Sequence, residues 1–176
     1  MIEEPSNNAR VIWITGLSGS GKTTIGKIVV EQLRAQGLGV VFLDGDVLRN
    51  VLDTEDRHSI EDRKKLAFTY SKLCKMFADQ NLNVVCSTVS MFDEVRDLNR
   101  QSIPDYLEIY LKVPFDILMK RDQKGLYSGA KKGDIRNLVG FDMAFEEPKA
   151  PDLVIVNDGT DTPELLATRI SKFDIF

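Results

Sequence analysis

The chain has 176 residues, 43% hydrophobic and 28% charged, the composition of one globular domain rather than two domains or a disordered segment. At this length folding hides about 70% of the extended chain's surface, so a core forms without disulfides or a structural metal. Twenty-three basic against 27 acidic side chains give a net charge of −4, which excludes general attraction to a nucleic-acid backbone or an anionic membrane and makes any phosphate binding local.

The opening MIEEPSNNAR is acidic and polar, unlike a secretion signal, and residues 1–9 read as a flexible tail. Val11 to Thr15 is a short apolar run of the kind expected of a strand covered on both faces. Gly16 to Thr23, GLSGSGKT, then matches G-x-x-x-x-G-K-[ST] between a predicted strand and a predicted helix. Gly16, Gly19 and Gly21 let successive backbone N–H groups face one hollow at the positive end of the helix. Lys22 is placed to reach β- and γ-phosphates and Thr23 to ligate Mg²⁺ through its hydroxyl.

Helical spacing of Ile25, Ile28, Val29 and Leu33 predicts a helix over Lys22 to Gln36, stopped by Gly37. A second strand, Val40 to Leu43, runs into Asp44-Gly45-Asp46, two carboxylates at the C-terminal end of a parallel strand, where open α/β sheets bind ligands. Asp46 is assigned to an acceptor's hydroxyl proton and Asp44 to the water shell of a metal; the alternative is a turn that caps a helix. Ser59 to Asp79 opens on a capping-box variant at Ser59 and Asp62 and carries Leu66, Tyr70, Leu73 and Phe77 on one face. Further strands are predicted at Val84 to Ser87, Leu107 to Val113 and Leu153 to Val156, and helices at Phe92 to Gln101, Pro114 to Arg121 and Pro163 to Ser171. Strands alternating with helices predict a three-layer α/β/α fold around a five-stranded parallel sheet. Residues 125–148 lack any long period and read as a lid. Cys74 and Cys86 form no C-x-x-C pair and read as buried thiols in a reducing compartment. No N-K-x-D or L-S-G-G-Q motif is present, against a GTPase or a transporter-type ATPase.

From Val11 to Asp158 the chain resembles the adenylylsulfate kinase family, on GLSGSGKTT, LDGDVLR, EDR at Glu61 to Arg63, RDQKGLY at Arg121 to Tyr127 and GFDMAFEEP at Gly140 to Pro148. The resemblance implies a P-loop nucleoside-kinase fold that moves the γ-phosphoryl of MgATP to the ribose 3′-hydroxyl of adenosine 5′-phosphosulfate. On the ATP side it implies Gly16, Ser18, Gly19, Ser20, Gly21, Lys22, Thr23 and Thr24, with Arg121 against the base and Asn157 nearby. On the acceptor side it implies Asp46, Arg49, His58, Arg63, Leu66, Ser90, Lys124, Gly125, Leu126 and Leu138, with Lys22, Asp44 and Asp46 as the catalytic set and Thr23 and Asp44 toward Mg²⁺. It further implies a homodimer acting on a small-molecule nucleotide; the polar N-terminus and the lack of any run of 18 apolar residues read as a cytoplasmic chain with no membrane partner, and the net charge as one with no nucleic-acid partner.

The chain departs from the family's pattern on the acceptor side. Where x-E-N-I-R-R-I is usual after the DR pair, it has Lys64, Lys65, Leu66, Ala67, Phe68, Thr69 and Tyr70, so Leu66 replaces an asparagine. His58 and Leu138 stand where two phenylalanines usually stack on adenine, which weakens a purine sandwich by about 1–3 kcal/mol per base. I-S-P-Y-R-x-D-R becomes Val89 to Arg96, with Asp93 for arginine and Val95 for aspartate, and the lid's K-K-A-R becomes Ser128 to Lys131. The changes spare the ATP side and point to the same chemistry on another acceptor, cytidine diphosphoramidate being a precedent in the family. Ordinary variation, with His58 stacking on adenine, is the alternative; a non-catalytic ATP-binding module and a kinase of an unrelated small alcohol are the others.

Overall fold

A computed structural model of the chain describes residues 9–54 and 59–173. Five strands, β1 (Val11–Thr15), β2 (Val40–Asp44), β3 (Asn83–Thr88), β4 (Tyr106–Lys112) and β5 (Leu153–Val156), form one all-parallel sheet in the order β2-β3-β1-β4-β5. Among the described residues seven helices accompany them: α1 (Lys22–Ala35), α2 (Gly45–Val51), α3 (Ile60–Ala78), α4 (Asp93–Ser102), α5 (Phe115–Arg121), α6 (Leu126–Lys132) and α7 (Pro163–Ser171).

Alternation along β1 divides the core. Ile12 and Ile14 face α1 and α7, meeting Ile25, Val29, Leu166 and Ile170, while Val11 and Trp13 face α3, meeting Ala67, Tyr70 and Cys74. Both sheet faces are thus covered, which is why the strands read as unbroken apolar runs. Ser59 caps α3 by accepting from the Asp62 amide at 3.1 Å, as the capping box predicts. Cys74 and Cys86 are buried free thiols on the α3 side of the sheet.

Two short helices lie outside the predicted elements, the first being the capped helix that the Asp44-Gly45-Asp46 turn left as an alternative. The strand β2 extends to Asp44, whose carboxylate then caps α2, seven residues with no room for an apolar period. The helix α6 lies inside residues 125–148 and is held by Tyr127, which packs with Leu118 and Leu138 in a third apolar cluster. Ala9 corrects the expected tail: it is buried beside Val11, because Arg10 extends the central strand β1 at its N-terminal end, donating its amide to Asn83 Oδ1 at 3.0 Å and pairing with Asp105 at 2.9 Å. Residues 1–8 and His58 lie outside the described residues.

A buried ion pair ties α4 to the sheet. Arg96 and Glu108 are each 3% exposed, with Arg96 Nε 3.4 Å from Glu108 Oε1, and Arg100 reaches Glu108 Oε2 at 3.0 Å. Arg96 also pairs with Asp93 and donates to the Glu146 carbonyl at 2.9 Å, stitching residues 143–147 to the start of α4. Arg96→Met leaves Glu108 buried with one partner and is expected to cost about 3 kcal/mol in urea unfolding. A loss below about 1 kcal/mol would mean that Arg100 alone compensates the carboxylate.

Candidate active site

The strand ends build a cleft of about 700 Å³. After β1 the chain curls through Gly16 at φ 152°, where a Cβ would lie 2.5 Å from the Leu111 carbonyl oxygen, and Gly21 at φ 94° begins α1, so no other residue fits either place without strain. Ser18, Gly19, Gly21, Lys22, Thr23 and Thr24 line the cleft. Gly16 and Ser20 are buried behind it. Asn157 Nδ2 donates to the Ser20 carbonyl at 2.9 Å, Arg121 Nη2 donates to the Asn157 carbonyl at 3.1 Å, and Tyr127 donates its hydroxyl to the Ser18 carbonyl at 2.9 Å. Arg121 and Asn157 therefore brace the loop from outside rather than line its hollow.

Lys22 Nζ donates to the Leu17 carbonyl at 2.8 Å. Burial lowers its pKa to about 8 against the opposing pull of Asp46 and Asp44. Across from it, Thr23 Oγ1 donates to Asp44 Oδ2 at 2.6 Å, and Asp44 Oδ1 accepts from the amides of Asp46 and Val47 at 3.0 and 3.4 Å. Asp44 thus does cap a helix, while Asp46 faces the cleft and pairs with Arg49 from its own helix and with Lys124 Nζ at 2.7 Å. Burial opposes ionisation of Asp46, yet the Lys124 hydrogen bond and the charges of Arg49, Lys124 and Lys22 outweigh it and hold the carboxyl below its ordinary range.

Arg49 and Arg63 line both the cleft and a smaller recess of about 40 Å³ between α3, the end of β3 and residues 143–145. Leu66 and Ser90 lie in that recess, Ser90 Oγ 2.7 Å from Thr88 Oγ1. Arg63 donates to the Asn137 carbonyl at 3.1 Å, and burial, with Arg49 nearby, pushes its pKa down. Leu126 and Leu138 line the cleft, but Leu138 is only 6% exposed and packs against Leu118 and Tyr127, which leaves little of it to stack on a base. Gly125, at φ 62°, caps α6 and is flanked by the lining residues Lys124 and Leu126.

Sequence reasoning missed Thr88 and Val89, which border both cavities, and Asp134 to Asn137, which border the cleft. Thr88 ends β3, so the rule that ligands meet strand C-termini could have found it; nothing periodic marks 134–137. The Thr23 hydroxyl and Asp44 carboxylate are hard oxygens of the type Mg²⁺ takes. No cluster of three or more His, Cys, Asp or Glu suited to a metal occurs among the described residues, so an ion here would be shared with nucleotide phosphates and water.

A glycine loop feeding a helix N-terminus, carboxylates at the next strand end and cations facing them make the chain a P-loop kinase, a phosphotransferase with a hydroxyl acceptor. The comparisons narrow this further. A family model described as adenylylsulphate kinase matches residues 8–156, and the chain belongs to that family. It is 44% identical over 154 residues to a cytidine diphosphoramidate kinase of Campylobacter jejuni, covering 86% of this chain and 88% of that one. To an adenylyl-sulfate kinase of Bacillus velezensis it is 39% identical over 155 residues, 87% and 79% of the two chains. The structure of a Mycobacterium tuberculosis APS kinase in complex with AMPPNP and APS superposes with a TM-score of 0.85 at 31% identity, covering 92% and 95% of the two chains. The family uses ATP.

Phosphate on the loop favours charged Lys22, so nucleotide binding above pH 8 takes up a proton and weakens as pH rises through about 8. Calorimetry with ATP at pH 8.5 in two buffers of different ionisation enthalpy is expected to read net proton uptake in the wild type and none in Lys22→Met. Zero uptake in the wild type would contradict the perturbed lysine.

Proposed function

We propose that the chain transfers the γ-phosphoryl group of MgATP to the ribose 3′-hydroxyl of a nucleoside 5′-phospho-anhydride, and that this acceptor is of the cytidine diphosphoramidate type. The observation that carries the chemistry is Asp46, an ionised carboxylate on the loop-lined cleft between Lys124 and Arg49, the latter also bordering the recess. ATP lies with its phosphates on the loop amides and Lys22, and the acceptor lies toward the recess with its anionic 5′ end on Arg49, Arg63 and Lys124. The 3′ oxygen bonds to the γ-phosphorus as the bond to the β–γ bridging oxygen breaks, ADP leaves, and the hydroxyl proton passes to Asp46. Mg²⁺, when bound, neutralises phosphate charge, and Thr23 and Asp44 are the residues that would hold it or its waters.

Residues 125–148 act as a lid that keeps water from the transfer: Arg63 already reaches it at the Asn137 carbonyl, and Lys124, immediately before it, pairs with Asp46. The small base is supported by the narrow recess, by Leu66, by the buried Leu138 and by the 44% identity to the Campylobacter enzyme. Adenosine 5′-phosphosulfate is the second reading, favoured by the TM-score of 0.85 to the enzyme solved with APS. A cytoplasmic homodimer accompanies either reading.

Side-by-side turnover of cytidine diphosphoramidate and adenosine 5′-phosphosulfate, with product phosphates located by phosphorus NMR, tests both halves. The cytidine compound is expected to be preferred by about tenfold or more in kcat/KM, since Leu138, where the resembled pattern stacks a phenylalanine, is buried and offers no aromatic face to a purine, with the new phosphate on O3′. Preference for the adenine compound overturns the acceptor; a phosphate elsewhere overturns the chemistry.

A further inference from the structure

The helix α3 turns one face to the recess: Ile60, Arg63, Leu66 and Tyr70 all line it. Tyr70 is the most buried of the four, 1% exposed, and its hydroxyl donates to the Gly45 carbonyl at 3.1 Å. Gly45 is the residue between Asp44 and Asp46, and it opens α2. On its other side a Cβ at Gly45 would stand 3.3 Å from Thr88 Oγ1, so the start of α2 is clamped between Tyr70 and the end of β3. An aliphatic side chain, such as the isoleucine that the resembled pattern carries here, would fill the core as well. A buried hydroxyl is costly unless bonded, and this one is spent on the peptide that joins the two carboxylates. Burial also raises the phenol's pKa, so it keeps its proton and remains a donor.

We propose that Tyr70 is a positioning residue for phosphoryl transfer: through the Gly45 carbonyl it sets how the start of α2 presents Asp46 to the acceptor hydroxyl, while its ring floors the recess. The proposal rests on the recess being the acceptor's site. Asp46 touches the reacting hydroxyl in that reading; Tyr70 acts only through it. The interaction is directional, so its loss changes alignment more than affinity.

Tyr70→Phe keeps the ring and removes one O–H. With the acceptor that the wild type turns over best, kcat is expected to fall about tenfold while KM for MgATP and for acceptor stays within about twofold. More ADP should form per acceptor phosphorylated, because a misaligned hydroxyl loses ground to water. A hydroxyl with a merely structural part would lower the Tm and leave kcat and this ratio unchanged, which overturns the proposal; so would a rise in both KM values at constant kcat. Amide hydrogen exchange on the ligand-free protein gives a second reading: the amides of Asp46 and Val47, bonded to Asp44, should exchange about tenfold faster in the variant, and equal exchange overturns the proposal. Failure of the acceptor reading shows in the wild type, as transfer to neither nucleotide, and leaves the exchange comparison to decide Tyr70.

Discussion

The hydrogen bond from Thr23 to Asp44, 2.6 Å long, joins two pieces of chain that the sheet keeps apart. The order β2-β3-β1 puts a whole strand between the one that feeds the glycine loop and the one that feeds the carboxylates. All the strands are parallel, so their C-terminal ends share one edge, and the gap is closed there by side chains. Ser87 at the end of β3 donates to the Lys22 carbonyl at 3.1 Å, Thr23 reaches on to Asp44, and the other oxygen of Asp44 caps α2. One carboxylate therefore fixes the first turn of α1, with its lysine, and the first turn of α2, with Asp46.

Around that tie an acidic chain has concentrated its cations. Lys22, Arg49, Arg63 and Lys124 border the cleft although the net charge is −4. In the protein alone two of them are occupied by Asp46. The Asp46 and Lys124 side chains are 50% and 62% exposed, so their pair is worth little in water and gives way readily to a phosphate. Arg96 differs: 3% exposed and bonded to the chain at Glu146, it holds the wall formed by residues 143–145 in place. The distinction between cations that can be traded and cations that cannot follows from burial alone.

The doubly covered sheet was legible because continuous apolar runs alternate with amphipathic helices, and the glycine loop because its residue types answer directly to phosphate geometry. The helix α2 was not, since seven residues with one cap carry no period, and α6 was not, since Tyr127 is its one fully buried anchor among the described residues and that anchor is a contact with Leu118 and Leu138, distant in sequence from any pattern. Arg121 and Asn157 could be associated with the ATP side but not seen as braces of the loop, because which carbonyl a side chain meets is a property of the folded backbone. Tyr70 looked like another core-facing residue of α3; its bond to Gly45 joins residues 25 positions apart and no local signal marks it. Departures from the family's pattern that are scattered in sequence, Leu66, Tyr70 and Met91 among them, come together in space around one recess.

Phosphoryl transfer here depends on Asp46 accepting the acceptor's proton in the cleft. Asp46→Asn, close to isosteric, removes that capacity and the charge that Arg49 and Lys124 attend. With ATP binding followed by calorimetry and transfer followed by product formation, nucleotide affinity is expected within about threefold of wild type and kcat lower by about a thousandfold. Transfer at near wild-type rate with a folded, ATP-binding Asp46→Asn would contradict it.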